Sequence, residues 1–264
     1  MKQGMFTITA NRRLTQNVCE MILAGDTSAC QRPGQFLNIK LDGLFLRRPI
    51  SVCDYDDEEI KIIYKIVGKG TRAMAEMRSG QTLDVLTGLG NGYDSSKAGT
   101  SPVLIGGGVG IPPLYGLLKA LQRQRAADAK AARAAGALAY GESAGTEKIR
   151  VILGFNTAEE IFYQNEFEAA GAEVLLATAD GSAGVKGFVT DVLAGLDYSY
   201  FYTCGPEAMF RAIERVAKTS GQYSFEERMG CGFGACMGCS CETKYGSKRI
   251  CKDGPVLERE EILW

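Results

Sequence analysis

The chain has 264 residues, 30 basic against 31 acidic side chains, nine cysteines and no histidine. Without histidine there is no Ser-His-Asp or Cys-His catalysis, no histidine-held zinc or haem and no Rieske cluster. A net charge of −1 with 23% charged residues argues against nucleic-acid or membrane-surface binding, which would show a basic stripe.

Residues 1–13 lack a signal peptide's apolar core. The longest apolar run, 103–118, is broken by five glycines and two prolines, whereas a spanning helix needs about 20 mostly apolar residues. A cytoplasmic protein is expected, with neither a membrane nor a nucleic-acid partner. Glycine, 33 of 264 residues, promises tight turns and close backbone approaches to ligands.

Residues 1 to about 98 carry short apolar or alternating runs at 6–10, 18–23, 35–39, 49–53, 59–67 and 82–86. Turn clusters such as Arg32-Pro33-Gly34 and Leu89-Gly90-Asn91-Gly92 separate them. Six short strands at this spacing predict a small antiparallel barrel. In Arg47-Arg48-Pro49-Ile50-Ser51, Arg48 can pair with a pyrophosphate and Ser51 can bond a flavin ring edge. Gly68-x-Gly70-Thr71 then opens a helix over 71–78 whose amides can take phosphates. Alone, each segment reads better as ordinary structure, an edge strand with a surface arginine pair followed by a turn. Their order, and what lies downstream, favours a cofactor.

From about 101 strand and helix alternate. A strand at 103–105 runs into Gly106-Gly107-Gly108-Val109-Gly110-Ile111-Pro112 and a helix over 112–124. Strands at 151–155, 173–177 and 198–203 alternate with helices at 158–170, 189–194 and 207–220, and a run at 223–227 closes the series. This rhythm predicts a doubly wound parallel sheet. The alanine-rich, mixed-charge stretch 126–146 reads as a peripheral insertion. Gly106, Gly107, Gly108 and Gly110 admit a pyrophosphate to the backbone, and Pro112 costs no hydrogen bond in a first helical turn. Cys204-Gly205-Pro206 stands at the carboxyl edge of its strand, where such sheets bind ligands. The Cys204 thiol either lines a nicotinamide pocket or is simply buried before a turn. Asn156, Glu159 and Glu160 follow the second strand with no cation to meet a 2′-phosphate, which favours NADH over NADPH.

Five cysteines crowd into 231–251 as Cys231-x4-Cys236-x2-Cys239, then Cys241 and Cys251. An odd total with four scattered members argues against a disulfide framework. The opening spacing with a distal cysteine is the plant-type [2Fe–2S] arrangement. Gly230, Gly232, Gly234 and Gly238 let the backbone wrap and turn N–H groups to the sulfurs. Cys231, Cys236, Cys239 and Cys251 are taken as ligands, with Cys241 the rival for the fourth place. A four-cysteine zinc site is the alternative, although zinc sites usually show two C-x2-C halves.

Taken in order, the segments at 47–51, 89–92, 106–112, 204–206, Glu226-Glu227-Arg228-Met229 and Cys251-Lys252-Asp253-Gly254-Pro255-Val256 resemble the ferredoxin–NADP reductase superfamily. Within it they are most similar to the electron-transfer subunits of class B dihydroorotate dehydrogenases, over nearly the whole chain except 126–146. The resemblance implies a multi-domain β plus α/β fold: an FAD-binding six-stranded barrel over 1–98, an NAD-binding sheet over 99–222 and a [2Fe–2S] module over 223–264. It implies FAD contacts from Arg48, Pro49, Ile50, Ser51, Ile63, Tyr64, Lys65, Gly70 and Thr71. The superfamily often has tyrosine where Ile50 stands, so Tyr64 is expected to supply the stacking ring. The implied activity passes electrons from NADH through FAD and the cluster, without a catalytic acid or base from this chain. The implied partner is an FMN-containing dihydroorotate dehydrogenase catalytic subunit in a heterotetramer serving pyrimidine biosynthesis. A reductase feeding a sulfite reductase or ferredoxin-type acceptor shares the same fold.

Overall fold

The computed structural model describes residues 1–135 and 148–264. The chain begins with β1 (Lys2–Arg13), β2 (Val18–Ala24), β3 (Phe36–Ile39), β4 (Arg48–Tyr55), β5 (Glu59–Lys65) and, after a short helix α1 (Lys69–Ala75), β6 (Thr82–Leu89). These six strands close an antiparallel barrel in the order β1-β2-β5-β4-β3-β6, as expected. Period-two alternation builds it: Phe6 and Ile8, Met21 and Leu23, Leu37 and Ile39, Ile60 and Ile62, Leu83 and Val85 turn into one core. Closure gives every strand a neighbour on each side.

The second part contains β7 (Val103–Gly107), α2 (Pro112–Ala134), β8 (Arg150–Phe155), α3 (Gln164–Ala169), β9 (Glu173–Thr178), β10 (Val185–Lys186), α4 (Val189–Leu193), β11 (Phe201–Cys204), α5 (Glu207–Val216) and β12 (Gly221–Ser224). A small hairpin, β13 (Ser240–Thr243) with β14 (Gly246–Arg249), and a last strand, β15 (Val256–Glu258), complete the chain. The seven-stranded sheet runs β10-β9-β8-β7-β11-β12-β15, parallel except for β15. Along β7, Leu104 joins a core with Leu114, Leu117 and Leu118 of α2 and Phe167 of α3. Its neighbours Val103 and Ile105 join the opposite core with Val189 and Leu193 of α4 and Phe210 and Ile213 of α5. Central strands apolar on both faces are what a doubly wound sheet requires. Among the described residues, no helix is long and apolar enough to cross a membrane.

Three departures from the sequence reading have physical causes. The helix expected over 158–170 is broken: 158–160 form a 3-10 turn, Ile161 is extended, and only Gln164–Ala169 is α-helical. Phe162 and Tyr163 both enter the same core, although successive helical residues point about 100° apart. The chain resolves this by placing Tyr163 at φ 65, in the left-handed region. Next, α2 runs to Ala134, ten residues past its expected end, because alanine is the strongest helix former. The remainder of the alanine-rich stretch, 136–146, lies outside the described residues. Finally, β12 straddles the expected division at 222/223, and β15 pairs with it.

Helix α2 and Tyr163 hold the barrel against the sheet. Helix α2 lies on β4 so closely that a methyl group at Gly116 would sit 2.8 Å from the Cys53 carbonyl oxygen. One turn on, Lys119 pairs with Asp54. On the same side, the Tyr163 hydroxyl donates to buried Glu20 of β2 at 2.6 Å, and Arg12 of β1 holds the other carboxylate oxygen at 2.7 Å.

Candidate cofactor sites

The β4–β5 ladder ends at Val52–Ile62. Beyond it Arg48–Ser51 remain paired with β3 and Ile63–Lys65 with β2, so the two strands part and leave facing backbone edges. The residues expected to hold a flavin line this gap. Arg48 reaches across it: a methyl group on Gly70 would collide with the guanidinium, which donates to the Leu46 carbonyl. Arg48 thus stands beside the first turn of α1, where a pyrophosphate would find both the cation and backbone amides.

Two expectations change here. The Tyr64 ring is 2% exposed, inside the barrel core, with its hydroxyl donating to Asn11 Oδ1 at 3.1 Å. Strand alternation sends it inward, while Ile63 faces the sheet. Tyr64 therefore supplies no stacking ring, and what it can offer a ligand is its backbone. Thr71 is buried, and its hydroxyl accepts from the Val67 and Gly68 amides at 2.9 and 3.2 Å. It shapes the loop and has little left to give a phosphate. Lys65 is exposed, whereas Pro49, Ile50 and Ser51 are half-buried.

The glycine loop divides its labour. A methyl group at Gly106 would press on Ile111 at 2.6 Å, and one at Gly107 on Met209 at 2.7 Å. At Gly110 it would overlap the Cys204 carbonyl, because the loop rests directly on the backbone at Cys204-Gly205. Only Gly108 of the four combines a left-handed φ of +52 with open space on its outer side. Packing thus accounts for three of these glycines, and Gly108 marks where a ligand can approach. Burial pushes the Cys204 thiol up to about 12, despite an opposing bond from Ser224, so it stays a neutral wall at physiological pH. Near the end of β8, Glu160 accepts from Asn156 Nδ2 at 2.9 Å and from its amide at 3.1 Å.

In the cysteine loop the sulfurs stand in pairs. The Cys231 sulfur accepts from the Ala235 and Cys236 amides at 3.2 and 3.4 Å, and the Cys236 sulfur from the Cys231 amide at 3.4 Å. The Cys239 sulfur accepts from the Cys251 amide at 3.3 Å. Burial opposes ionisation of Cys231, but the Cys236, Phe233 and Ala235 contacts outweigh it and bring this thiol down to about 6. Burial and the neighbouring Cys239 and Cys231 sulfurs push Cys251 up to about 12. Among the described residues, no three metal-ligating side chains converge on one point. Two pairs of sulfurs, Cys231 with Cys236 and Cys239 with Cys251, suit the two irons of a binuclear cluster better than a single zinc. Cys241 lies on β13, where it lines a cavity of about 380 Å³ with Glu226, Glu227 and Glu242, and burial raises its thiol.

Two asparagines bind the sites together: Asn91, named in the sequence only as part of the 89–92 turn, and Asn38, which sequence reasoning passed over. Asn91 donates to Val256 O at 2.7 Å and accepts from the Val256 amide at 3.1 Å, sewing the barrel to β15. Asn38 of β3 donates to Cys231 O at 3.1 Å. The available signal was a lone amide inside the apolar strand Phe36-Leu37-Asn38-Ile39.

Comparison with known proteins agrees with this layout. A family model for the iron–sulfur cluster binding domain of dihydroorotate dehydrogenase B matches residues 226–263, and an oxidoreductase NAD-binding domain matches 104–215. The chain is 38% identical over 279 residues to the electron transfer subunit of dihydroorotate dehydrogenase B (NAD(+)) from Geobacillus sp. (strain WCH70), covering 100% of this chain and 99% of that one. The subunit of the same name from Bacillus pumilus (strain SAFR-032) is 38% identical over 276 residues, with 99% and 98% covered. Among solved structures, an NADH-dependent reduced ferredoxin-NADP oxidoreductase superposes with a TM-score of 0.80 at 26% identity, covering 99% of this chain and 90% of that one. A ferredoxin NADP+ reductase from Neisseria gonorrhoeae with bound FAD and NADP shares the fold at a TM-score of 0.65 and 16% identity, with 85% and 100% covered.

Proposed function

The chain belongs to the family of dihydroorotate dehydrogenase B electron transfer subunits, and on that premise we propose that its acceptor is the FMN-containing catalytic subunit of that enzyme. The assembly is a cytoplasmic heterotetramer with two copies of each chain. Nine unpaired cysteines suit a reducing compartment. The chain is an oxidoreductase subunit that works with NAD(H), FAD and a [2Fe–2S] cluster. When bound, FAD would supply the chemistry that links two-electron exchange with a nicotinamide to one-electron exchange with a cluster.

The residues divide the work without acids or bases. Gly108 leaves room for the dinucleotide, and the Cys204-Gly205 backbone walls the nicotinamide. Asn156 and the Glu160 carboxylate stand where a ribose hydroxyl, rather than a 2′-phosphate, is welcome. Arg48 neutralises the FAD pyrophosphate, and Ser51 with the free edges of β4 and β5 meets the flavin. Cys231 and Cys236 hold one iron, and Cys239 and Cys251 the other. One observation carries the reading: the loop at Cys231 is seated on β3, whose neighbour β4 bears the flavin residues. The expected order is nicotinamide, flavin, cluster, partner.

The test is anaerobic reduction by NADH of the purified chain, followed by mixing with the catalytic subunit. Expected are one FAD and two irons per chain, bleaching of both chromophores, and NADH oxidation coupled to orotate. A colourless zinc protein, or a chain that binds no FMN subunit and leaves orotate untouched, refutes the assignment.

A further inference from the structure

We propose that Asn38 is a positioning residue for electron transfer between flavin and cluster, holding the cluster loop in register with the flavin strand. The inference rests on the function proposed above and assigns a role to a residue that ligates neither group.

Asn38 is 1% exposed, yet its Oδ1 is a buried side-chain atom with no hydrogen-bond partner among the described residues. A buried amide oxygen left unpaired costs stability, and an apolar side chain of similar volume would avoid that cost. The stability of β3 therefore does not explain an asparagine here. Its other atoms do. Nδ2 donates to Cys231 O at 3.1 Å, across 193 residues of sequence. The next residue, Gly232, has φ +79, and a methyl group there would collide with Nδ2. The first turn of the cluster loop is thus fitted to this amide.

On the barrel side, Asn38 stands directly opposite Pro49 of β4. The two form a non-hydrogen-bonded pair, because Val52 N donates to Gln35 O at 3.0 Å and the bonded pairs alternate along the ladder. The Asn38 carbonyl accepts from the side chain of Arg47, the residue before β4, at 3.2 Å. Arg47 is in turn anchored on Asp84 at 3.0 Å. One residue thus lies beside the flavin strand, tied through its carbonyl to the arginine that precedes that strand and through its side chain to the first cluster cysteine. Transfer between the two groups conserves electrons simply: the flavin loses one, and a ferric iron of the cluster becomes ferrous. What Asn38 governs is their separation and relative orientation, on which the rate of transfer between two held groups depends.

The test is Asn38→Leu in the full, cofactor-loaded chain, with Asn38→Ser as a second variant too short to reach Cys231. Stopped-flow spectroscopy separates flavin reduction by NADH from the later reduction of the cluster. Thermal melting and the paramagnetic resonance spectrum of the dithionite-reduced cluster report structure independently. For Asn38→Leu the expected result is an unchanged or raised melting temperature, an intact cluster spectrum, flavin reduction within about twofold of wild type, and cluster reduction slowed about tenfold or more. Asn38→Ser should slow the same step. Cluster reduction at the wild-type rate overturns the proposal. Equal slowing of both steps, or a lower melting temperature with loss of either cofactor in both variants, makes Asn38 a purely structural residue and also overturns it. A wild-type chain whose flavin NADH does not reduce would defeat the proposed function itself, a different outcome from a normal wild type matched by its variants.

Discussion

Replacing Tyr163 by phenylalanine removes one hydroxyl from the interface between barrel and sheet. That hydroxyl donates to Glu20 at 2.6 Å, and Glu20 is only 3% exposed. Burial alone would raise the Glu20 carboxyl, but bonds from Arg12 and Tyr163 prevail and hold it below its ordinary value. Losing a donor to a buried charge costs about 1.5–3 kcal/mol, while Arg12, largely exposed, compensates little. Phenylalanine keeps the unfavourable left-handed backbone at this position without the bond that offsets it. For a chain of this size the expected fall in melting temperature is about 3–12 °C. The pH dependence sharpens the test. A carboxyl lowered on folding stabilises the native state above its unfolded value near 4.5, and that contribution vanishes as pH falls through the lower folded value. The gap between wild type and variant should be constant at pH 6–8 and close below about pH 4. Denaturant unfolding across this range measures it. A loss under about 0.5 kcal/mol at neutral pH, or a gap that persists in acid, would refute the assignment of this bond as an interdomain tie.

Three further outcomes are expected. Cys251→Ser should abolish the cluster, read as iron content and visible absorbance, whereas Cys241→Ser should retain both; the reverse would exchange the two assignments. Gly110→Ala presses a methyl group onto the Cys204 carbonyl and should cost about 1–3 kcal/mol of stability and raise KM for NADH. A variant indistinguishable from wild type would show the loop is not held against Cys204. Arg48→Ala should weaken FAD retention about 10–150-fold, the equivalent of 1.5–3 kcal/mol for a charged hydrogen bond, measured by flavin fluorescence on dilution. Undiminished retention would place the pyrophosphate elsewhere.

The parts legible in the sequence were those set by local rules. The barrel strands show as alternation because residues two apart share a face, and the central sheet strands show as short apolar runs because both faces are covered. The cysteine spacing likewise carries its chemistry locally, since loop geometry fixes which sulfurs meet. Tyr64 illustrates the limit. Its strand was correctly read, but which face of that strand looks into the barrel depends on the register with β2, where it stands opposite Cys19. The break at Tyr163 was invisible for a similar reason. It serves contacts made in the folded chain, the core that Tyr163 shares with Phe162 and the bond to Glu20, 143 residues away.

What the sequence by itself determined about this protein was its inventory: a barrel, a doubly wound sheet, a glycine loop and a paired-thiol module, in that order, with no histidine to do side-chain chemistry. Only the tertiary structure decided which of the expected residues have groups left to offer. It turned Tyr64 inward, committed the Thr71 hydroxyl to its own loop, assigned three of four loop glycines to packing, and brought Asn38 against Cys231. Spacing and periodicity are properties of neighbours along the chain. Whether a side chain is free to bind is set by whatever packs against it, and for Tyr64, Gly110 and Asn38 those partners, Asn11, Cys204 and Cys231, lie far away along the chain.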